Sequence, residues 1–217
     1  MDAYDFETKI YLREGQFLLQ AARMGVTDDD HCKNFQRYAR LPKGTIIDMG
    51  AGTGEMAIRL GNIIPAQFVC VTSSRFQRDL IQRRGVPAVQ SDYHSVPLPD
   101  GAADGVIFSE SFGYGDESRL LKEAHRLLKP GGVLVVKDFQ INSHPHDPCW
   151  KYEFRTEQFT EAMDSAGFAA EKIRFPFTTE EFRDFWEGCE LRALHPPEWL
   201  KYNPPEDYAA IWRGVKR

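Results

Sequence analysis

Between about residues 45 and 140, short apolar runs alternate with amphipathic stretches, and that rhythm sets the expected fold. Thr45–Met49, Gln67–Thr72, Ala88–Gln90, Gly105–Ser109 and Val133–Asp138 have the length and aliphatic content of strands buried on both faces. Glu55–Leu60, Ser74–Arg84 and Glu117–Leu128 carry apolar residues at helical spacing, as in the stripe Leu120, Leu121, Ala124, Leu127 and Leu128. Strands alternating with helices predict a doubly wound α/β fold around a mostly parallel sheet. Ahead of it, Ile10, Phe17, Leu18 and Ala21 predict a helix over Phe6–Met24, stopped by Gly25. A second helix is expected from Asp28-Asp29-Asp30, whose charges suit a helix N-terminus, to Leu41, before Pro42-Lys43-Gly44. Behind the core, a helix over Thr156–Ala166 and strands at Ala170–Phe175 and Tyr208–Lys216 are expected.

The segment between those last strands, Pro176–Asp207, is longer than a hairpin needs and is rich in aromatics: Phe177, Phe182, Phe185, Trp186, Trp199 and Tyr202. With Trp150, Tyr152 and Phe154 these residues either wall an apolar binding site or pack as a minor core at the sheet edge. A chain of 217 residues suits one domain: N-terminal helices over 1–43, a core over 44–140, and a C-terminal half over 141–217 with a cap at 176–207.

A net charge of −5 argues against a phosphate-backbone footprint, so no nucleic-acid partner is expected. Arg75, Arg78, Arg83 and Arg84 cluster, but on the solvated face of a helix whose Leu80 and Ile81 point inward. No apolar run approaches the ~18 residues of a membrane span, and Met1-Asp2-Ala3-Tyr4 does not open a signal peptide, so a cytoplasmic location is expected. Cys32, Cys70, Cys149 and Cys189 lie too far apart for a zinc or disulfide pattern. His144-Pro145-His146-Asp147 lacks a third spaced ligand, and no metal is expected.

The informative stretch is Asp48-Met49-Gly50-Ala51-Gly52-Thr53-Gly54, between the first core strand and its helix. Glycine there permits positive φ and leaves out the Cβ that would block a ligand, and the helix that follows offers unpaired N–H groups. A dinucleotide fingerprint needs its third glycine where Glu55 stands, and a P-loop needs Lys and Ser/Thr that do not follow Gly54. The remaining pattern, D-x-G-x-G-x-G, resembles motif I of the class I S-adenosylmethionine-dependent methyltransferases. Lys129-Pro130-Gly131-Gly132 and the Leu98-Pro99-Asp100-Gly101 approach to the fourth strand resemble the same class. The resemblance covers about residues 45–140. It implies a Rossmann-like, seven-stranded sheet with an antiparallel last strand, S-adenosylmethionine as cofactor and a small-molecule acceptor.

Most of that class places an acidic residue at the end of the second strand, where this chain has Val71-Thr72-Ser73-Ser74. Thr72, Ser74 and Gln77 are similar to the Thr-x-Ser-x-x-Gln pattern of cyclopropane synthases and sterol and tocopherol C-methyltransferases. The implied cofactor residues are Asp48, Gly50, Ala51 and Gly52 in the loop, Thr72, Ser73 and Gln77 around the ribose, Asp92 and Tyr93 at the adenine, and Ser109. Ser109-Glu110-Ser111-Phe112-Gly113-Tyr114 follows the fourth strand, where chemistry is expected, and the Glu-Ser-x-x-Tyr run is similar to geranyl diphosphate C-methyltransferase-like enzymes. Glu110 and Tyr114 are the catalytic candidates, Glu110 either as proton acceptor or as a residue that supports the site. Gly113-Tyr114 stands where cyclopropane synthases would have Glu-His, which argues against cyclopropane chemistry. The expected activity is methylation of a small, apolar molecule at carbon. An N- or O-methyltransferase of a polar metabolite and a non-catalytic cofactor-binding protein are the alternatives.

Overall fold

In a computed structural model the chain is described over residues 3–139, 158–178 and 209–217, apart from residues 14, 16, 19 and 21. Six helices and seven strands are found there: α1 (Ala3–Arg13), α2 (Asp28–Ala39), β1 (Gly44–Met49), α3 (Glu55–Ile63), β2 (Ala66–Thr72), α4 (Arg75–Arg83), β3 (Ala88–Gln90), β4 (Ala103–Ser109), α5 (Glu117–Leu127), β5 (Leu128–Phe139), α6 (Phe159–Ser165), β6 (Phe168–Ile173) and β7 (Ala209–Lys216).

The strands form one sheet in the order β3-β2-β1-β4-β5-β7-β6. β1 pairs in parallel with β2 and β4, and β5 in parallel with β4, while β7 runs antiparallel between β5 and β6. The strand order reverses between β1 and β4, and the carboxyl ends of those two strands flank the crevice in which such sheets bind ligands.

Alternate residues of each central strand supply the two halves of the core. Ile46, Ile107, Val135 and Ile211 face one side, joined by Leu60 of α3 and Phe35 of α2. Ile47, Val106, Phe108, Leu134, Val136 and Trp212 face the other, covered by Leu120 and Leu127 of α5 and Phe159 of α6. Trp212 is fully buried with its ring edge-on to Phe159, centroids 5.4 Å apart. At the far end of β7 the Lys216 ammonium donates to the His125 and Leu128 carbonyls, both at 2.7 Å, and so caps the C-terminus of α5.

The N-terminal expectation needs correction. The helix stops at Arg13 instead of reaching Met24, and Gly15 follows in the left-handed region at φ +75°. Beyond it Leu18, Gln20, Ala22, Arg23 and Met24 are buried, and none of them is helical. The described residues among 17–24 therefore form a non-helical strap, tied down where Arg23 and Thr178 exchange backbone hydrogen bonds of 3.0 and 2.9 Å. Smaller differences concern ends. Thr27 and Ser74 are N-caps whose hydroxyls accept from the N–H groups of Asp30 and Gln77. α2 closes at Ala39 on a left-handed Arg40, β5 opens at Leu128 and takes in the Lys-Pro-Gly-Gly run, and β6 begins at Phe168. The aromatic segment from Phe182 to Tyr202, together with Trp150, Tyr152 and Phe154, lies outside the described residues, as does the His144–His146 stretch.

Candidate functional site at the carboxyl end of the sheet

The loop after β1 is tied to β2. The N–H groups of Gly50 and Ala51 both donate to the Val71 carbonyl, at 2.9 and 3.1 Å, and the chain then passes through Gly50, Gly52 and Gly54 at φ +80°, +55° and +77°. Each of the three glycines is thus in the left-handed region, but their surroundings differ. A Cβ on Gly50 would lie 2.6 Å from Ser111 Cβ, and one on Gly54 would lie 2.9 Å from Ile81 Cγ1. A Cβ on Gly52 would meet nothing within 4 Å. Packing inside the protein dictates the outer pair, whereas the middle glycine faces open space. Among the described residues no group accepts from the Gly52 N–H, so a free donor stands beside that space.

Asp48, the next-to-last residue of β1, is almost completely buried, and among the described residues no donor reaches its carboxyl group. Burial alone pushes its pKa from 3.8 up to about 7. Near neutral pH this carboxyl is poised between its two forms beside the glycine loop.

At the end of β2, Thr72 and Gln77 are brought together and buried. The Thr72 hydroxyl donates to Gln77 Oε1 and accepts from the Ser74 N–H at 3.1 Å. α1 lies over them, with Gln77 Nε2 donating to the Thr8 hydroxyl at 2.7 Å and the Ser74 hydroxyl donating to Asp5. Ser73 is exposed in the same turn.

Beyond β3, the exposed Asp92 accepts from the His94 N–H at 2.9 Å and from the His94 ring at 2.6 Å. Partial burial would raise its pKa, but these two bonds hold it below the usual carboxylate value. The other ring nitrogen of His94 accepts from the Asp116 N–H at 2.9 Å, which fixes the tautomer with the proton on Nδ1. The half-buried Tyr93 donates its hydroxyl to the Ser111 carbonyl at 3.2 Å and sets its ring edge-on to Phe108.

At the ends of β4 and β5 the polar groups converge. Glu110 has φ +55°, a left-handed conformation that costs a non-glycine residue on the order of 1 kcal/mol or more. Its Oε1 accepts from the Lys137 ammonium and from the Ala22 N–H at 3.1 Å, and Lys137 is fully buried. Gln20 Oε1 accepts from both Lys137, at 2.8 Å, and the Ser109 hydroxyl, at 2.9 Å. Next to them the buried Asp138 carboxylate accepts from the N–H groups of Phe112 and Gly113 at 3.0 and 3.1 Å. It thereby shapes the single 3-10 turn that carries Tyr114, which is half-buried.

Every candidate residue read from the sequence lies at the last residues of β1, β2 or β4 or in the few residues that follow β1 to β4. Four others escaped that reading: Gln20, His31, Lys137 and Asp138. A lysine and an aspartate closing the apolar run Val133–Val136 were the available signal, since a buried strand rarely ends on two charges without a local use for them. Gln20 and His31 become neighbours of the site only through the strap, which periodicity did not disclose.

Residues 47–136, from the middle of β1 to the middle of β5, match the methyltransferase domain family. A demethylmenaquinone methyltransferase of Listeria monocytogenes is 28% identical over 184 residues, covering 78% of this chain and 76% of that one. An O-methyltransferase of Aspergillus sclerotiorum, resE, is 30% identical over 168 residues, 69% of this chain and 63% of that enzyme. The chain is an S-adenosylmethionine-dependent methyltransferase. Among solved structures, the [4+2]-cyclase SpnF aligns over 98% of this chain and 94% of its own with a TM-score of 0.76 at 22% identity. A geranyl diphosphate methyltransferase bound to its substrate and sinefungin aligns over 100% and 99% with a TM-score of 0.71 at 13% identity. At such identities the likeness extends to the fold alone, and a cyclase among the neighbours shows that this fold also serves other chemistry.

The methyltransferase thus holds an unpartnered acidic residue in its interior, with a consequence for stability. Because the folded-state pKa of Asp48 lies above the unfolded value, the folded protein binds the proton more tightly. This group's contribution to stability is therefore full below pH 4 and declines as pH rises to about 7, by at most about 4 kcal/mol. Asp48→Asn removes that decline. Thermal unfolding of the ligand-free protein at pH 5 and pH 8 is expected to show a smaller difference in the variant than in the parent.

Proposed function

We propose that this methyltransferase acts on a small, apolar acceptor and methylates it at carbon, with the cofactor lying across the glycine loop. The chain's own groups fit the cofactor. Open space over Gly52, a free N–H there and a buried carboxyl without a donor are what a zwitterionic amino acid tail joined to a nucleoside would use. In this reading Asp48 receives the cofactor's ammonium, Gly50 to Gly52 leave room for its backbone-like tail, and Thr72, Ser73 and Gln77 meet the ribose hydroxyls. Asp92 and Tyr93 take the adenine, and Ser109 lines the crevice. When bound, S-adenosylmethionine supplies a sulfonium methyl group, and the protein's task is to position the acceptor and exclude water.

The observation that carries the carbon reading is the state of Glu110. Its Oε1 is already engaged twice inside the protein, by the fully buried Lys137 ammonium and by the Ala22 N–H. A carboxylate so placed ties the strap to the sheet instead of meeting the acceptor, so the acceptor has to arrive already nucleophilic, as an enol or quinol carbon does. The relative named for demethylmenaquinone supports an electron-rich quinol class of acceptor. The O-methyltransferase relative keeps a second reading open, transfer to oxygen on the same scaffold. The net charge of −5 supports a small molecule over a nucleic acid as partner.

Three outcomes are expected. Gly52→Val, which places a branched side chain in the open space at a positive φ, is expected to abolish cofactor binding in calorimetry, and an unchanged affinity would refute the glycine-loop assignment. Glu110→Gln is expected to raise KM while kcat changes by less than about tenfold; a fall in kcat of about 10²–10⁴ at unchanged KM would instead make Glu110 a general base. Incubation with naphthoquinols, phenols and amines and a methyl-deuterated cofactor, followed by mass spectrometry, is expected to give ring-carbon methylation of the quinol; exclusive labelling of amines would overturn the reading.

A further inference from the structure

His31 sits in the first turn of α2 with no exposed surface. Its Nδ1 lies 3.0 Å from the Met24 backbone nitrogen and accepts that N–H, so the neutral ring must carry its proton on Nε2. Among the described residues that Nε2 has no hydrogen-bond partner. A buried donor left unmade costs on the order of 1–3 kcal/mol, and native proteins seldom keep one without a use for it.

Its surroundings say where the use lies. Met24 is two residues beyond Ala22, whose N–H is bound to Glu110, in the same strap that brings Gln20 to Ser109 and Lys137. Burial is the first cause that keeps the ring neutral, and the charges of Lys137 and Arg23 reinforce it. Both cations lie near the ring, Arg23 paired with Asp28 at 2.9 Å and Lys137 with Glu110. The ring is thus linked through Met24 and Ala22 to Glu110 after β4, and it feels the positive charge of Lys137 in β5, which favours negative charge on an oxygen that meets its free N–H.

We propose that His31 Nε2–H is the hydrogen-bond donor to an anionic ligand oxygen at the carboxyl ends of β4 and β5. The assignment rests on the methyltransferase reading of the site. Two sources carry that chemistry: the carboxylate of the cofactor's amino acid tail, and an oxyanion of the acceptor such as a phenolate or carboxylate. Neutral His31 suits either, because it adds a directional donor without adding a third positive charge that would have to be buried when the site is empty.

Two substitutions separate the ring's two jobs. His31→Asn keeps an acceptor for the Met24 N–H and deletes the deeper donor. His31→Gln keeps a donor at the Nε2 position and loses the acceptor. The 15N and 1H signals of the His31 ring are followed in the full-length protein on addition of 5′-methylthioadenosine, of S-adenosylhomocysteine, and of S-adenosylhomocysteine with 2-naphtholate or benzoate. The expected result is a downfield shift of the Nε2–H signal with S-adenosylhomocysteine but not with 5′-methylthioadenosine if the cofactor's carboxylate is the partner, or only on adding naphtholate or benzoate if the acceptor supplies it. The ligand that moves the signal is expected to bind about tenfold or more weakly to His31→Asn, and His31→Gln to recover most of that loss. A signal unmoved by all the ligands, or an unchanged Kd in His31→Asn, overturns the proposal. Failure of S-adenosylhomocysteine to bind the parent protein at all would fault the glycine-loop reading instead, so the two failures are distinguishable.

Discussion

The full positive charge of Lys137, buried where β5 ends, is the constraint around which the upper face of the molecule is arranged. An ammonium taken out of water costs several kcal/mol unless it is paired and hydrogen-bonded. The pairing comes from Glu110 and Gln20, on different parts of the chain. To deliver its carboxylate, Glu110 takes a left-handed backbone conformation straight after β4. Gln20 delivers its amide oxygen from the non-helical strap. The departure of residues 17–24 from a helix follows from the same requirement, since a helix would carry Gln20 and Ala22 to positions about 200° apart around its axis, with only one of them facing the sheet. One buried charge thus couples the ends of β4 and β5 to the N-terminal segment that covers them.

The glycine loop is governed by a different economy, in which the three positive-φ residues divide the work. Gly50 and Gly54 lack side chains because Ser111 and Ile81 occupy the space, which secures the turn against β4 and α4. Gly52 has no such neighbour among the described residues, and in the proposed reading its bareness makes room for the cofactor. The same division recurs among the acids. Asp138 is satisfied by the two N–H groups of the 3-10 turn, and Asp104 by the Thr45 N–H and Lys129, while Asp48 has no donor. Protein geometry accounts for the first two carboxylates; in the proposed reading the cofactor's ammonium accounts for the third.

How much of this could be read from sequence depended on whether the signal was local. The strands β1 to β5 and helices α3 to α5 are legible because each carries its own periodicity, and the glycine spacing is legible because three positive-φ residues in five demand glycine at each. Thr72 and Gln77 were found together because five residues across a strand–helix turn bring them into contact. The strap was not legible: Ile10, Phe17, Leu18 and Ala21 fit a helical wheel by chance, and what settles the matter is pairing with Thr178, more than 150 residues away. Lys137 and His31 were missed for a related reason. Each is ordinary in its own element, a strand end and a helix first turn, and becomes unusual only when the fold buries it without water.

Those residues also show how stability and binding are traded in this fold. Among the described residues Asp48 meets no donor and His31 Nε2 meets no acceptor, two polar groups of opposite character near the carboxyl end of the sheet. Neither penalty can be relieved by the other, because the groups sit in different parts of the site: Asp48 under the glycine loop, His31 beneath the strap. In the proposed reading a single ligand with a cationic and an anionic group, or a cofactor and an acceptor bound together, meets both at once. Binding energy then includes the relief of strain already present in the empty protein, which makes occupancy and folding stability rise together. It also limits the gain available to any stabilising substitution at these two positions, since filling either need from within the chain removes the reason for a ligand to bind there.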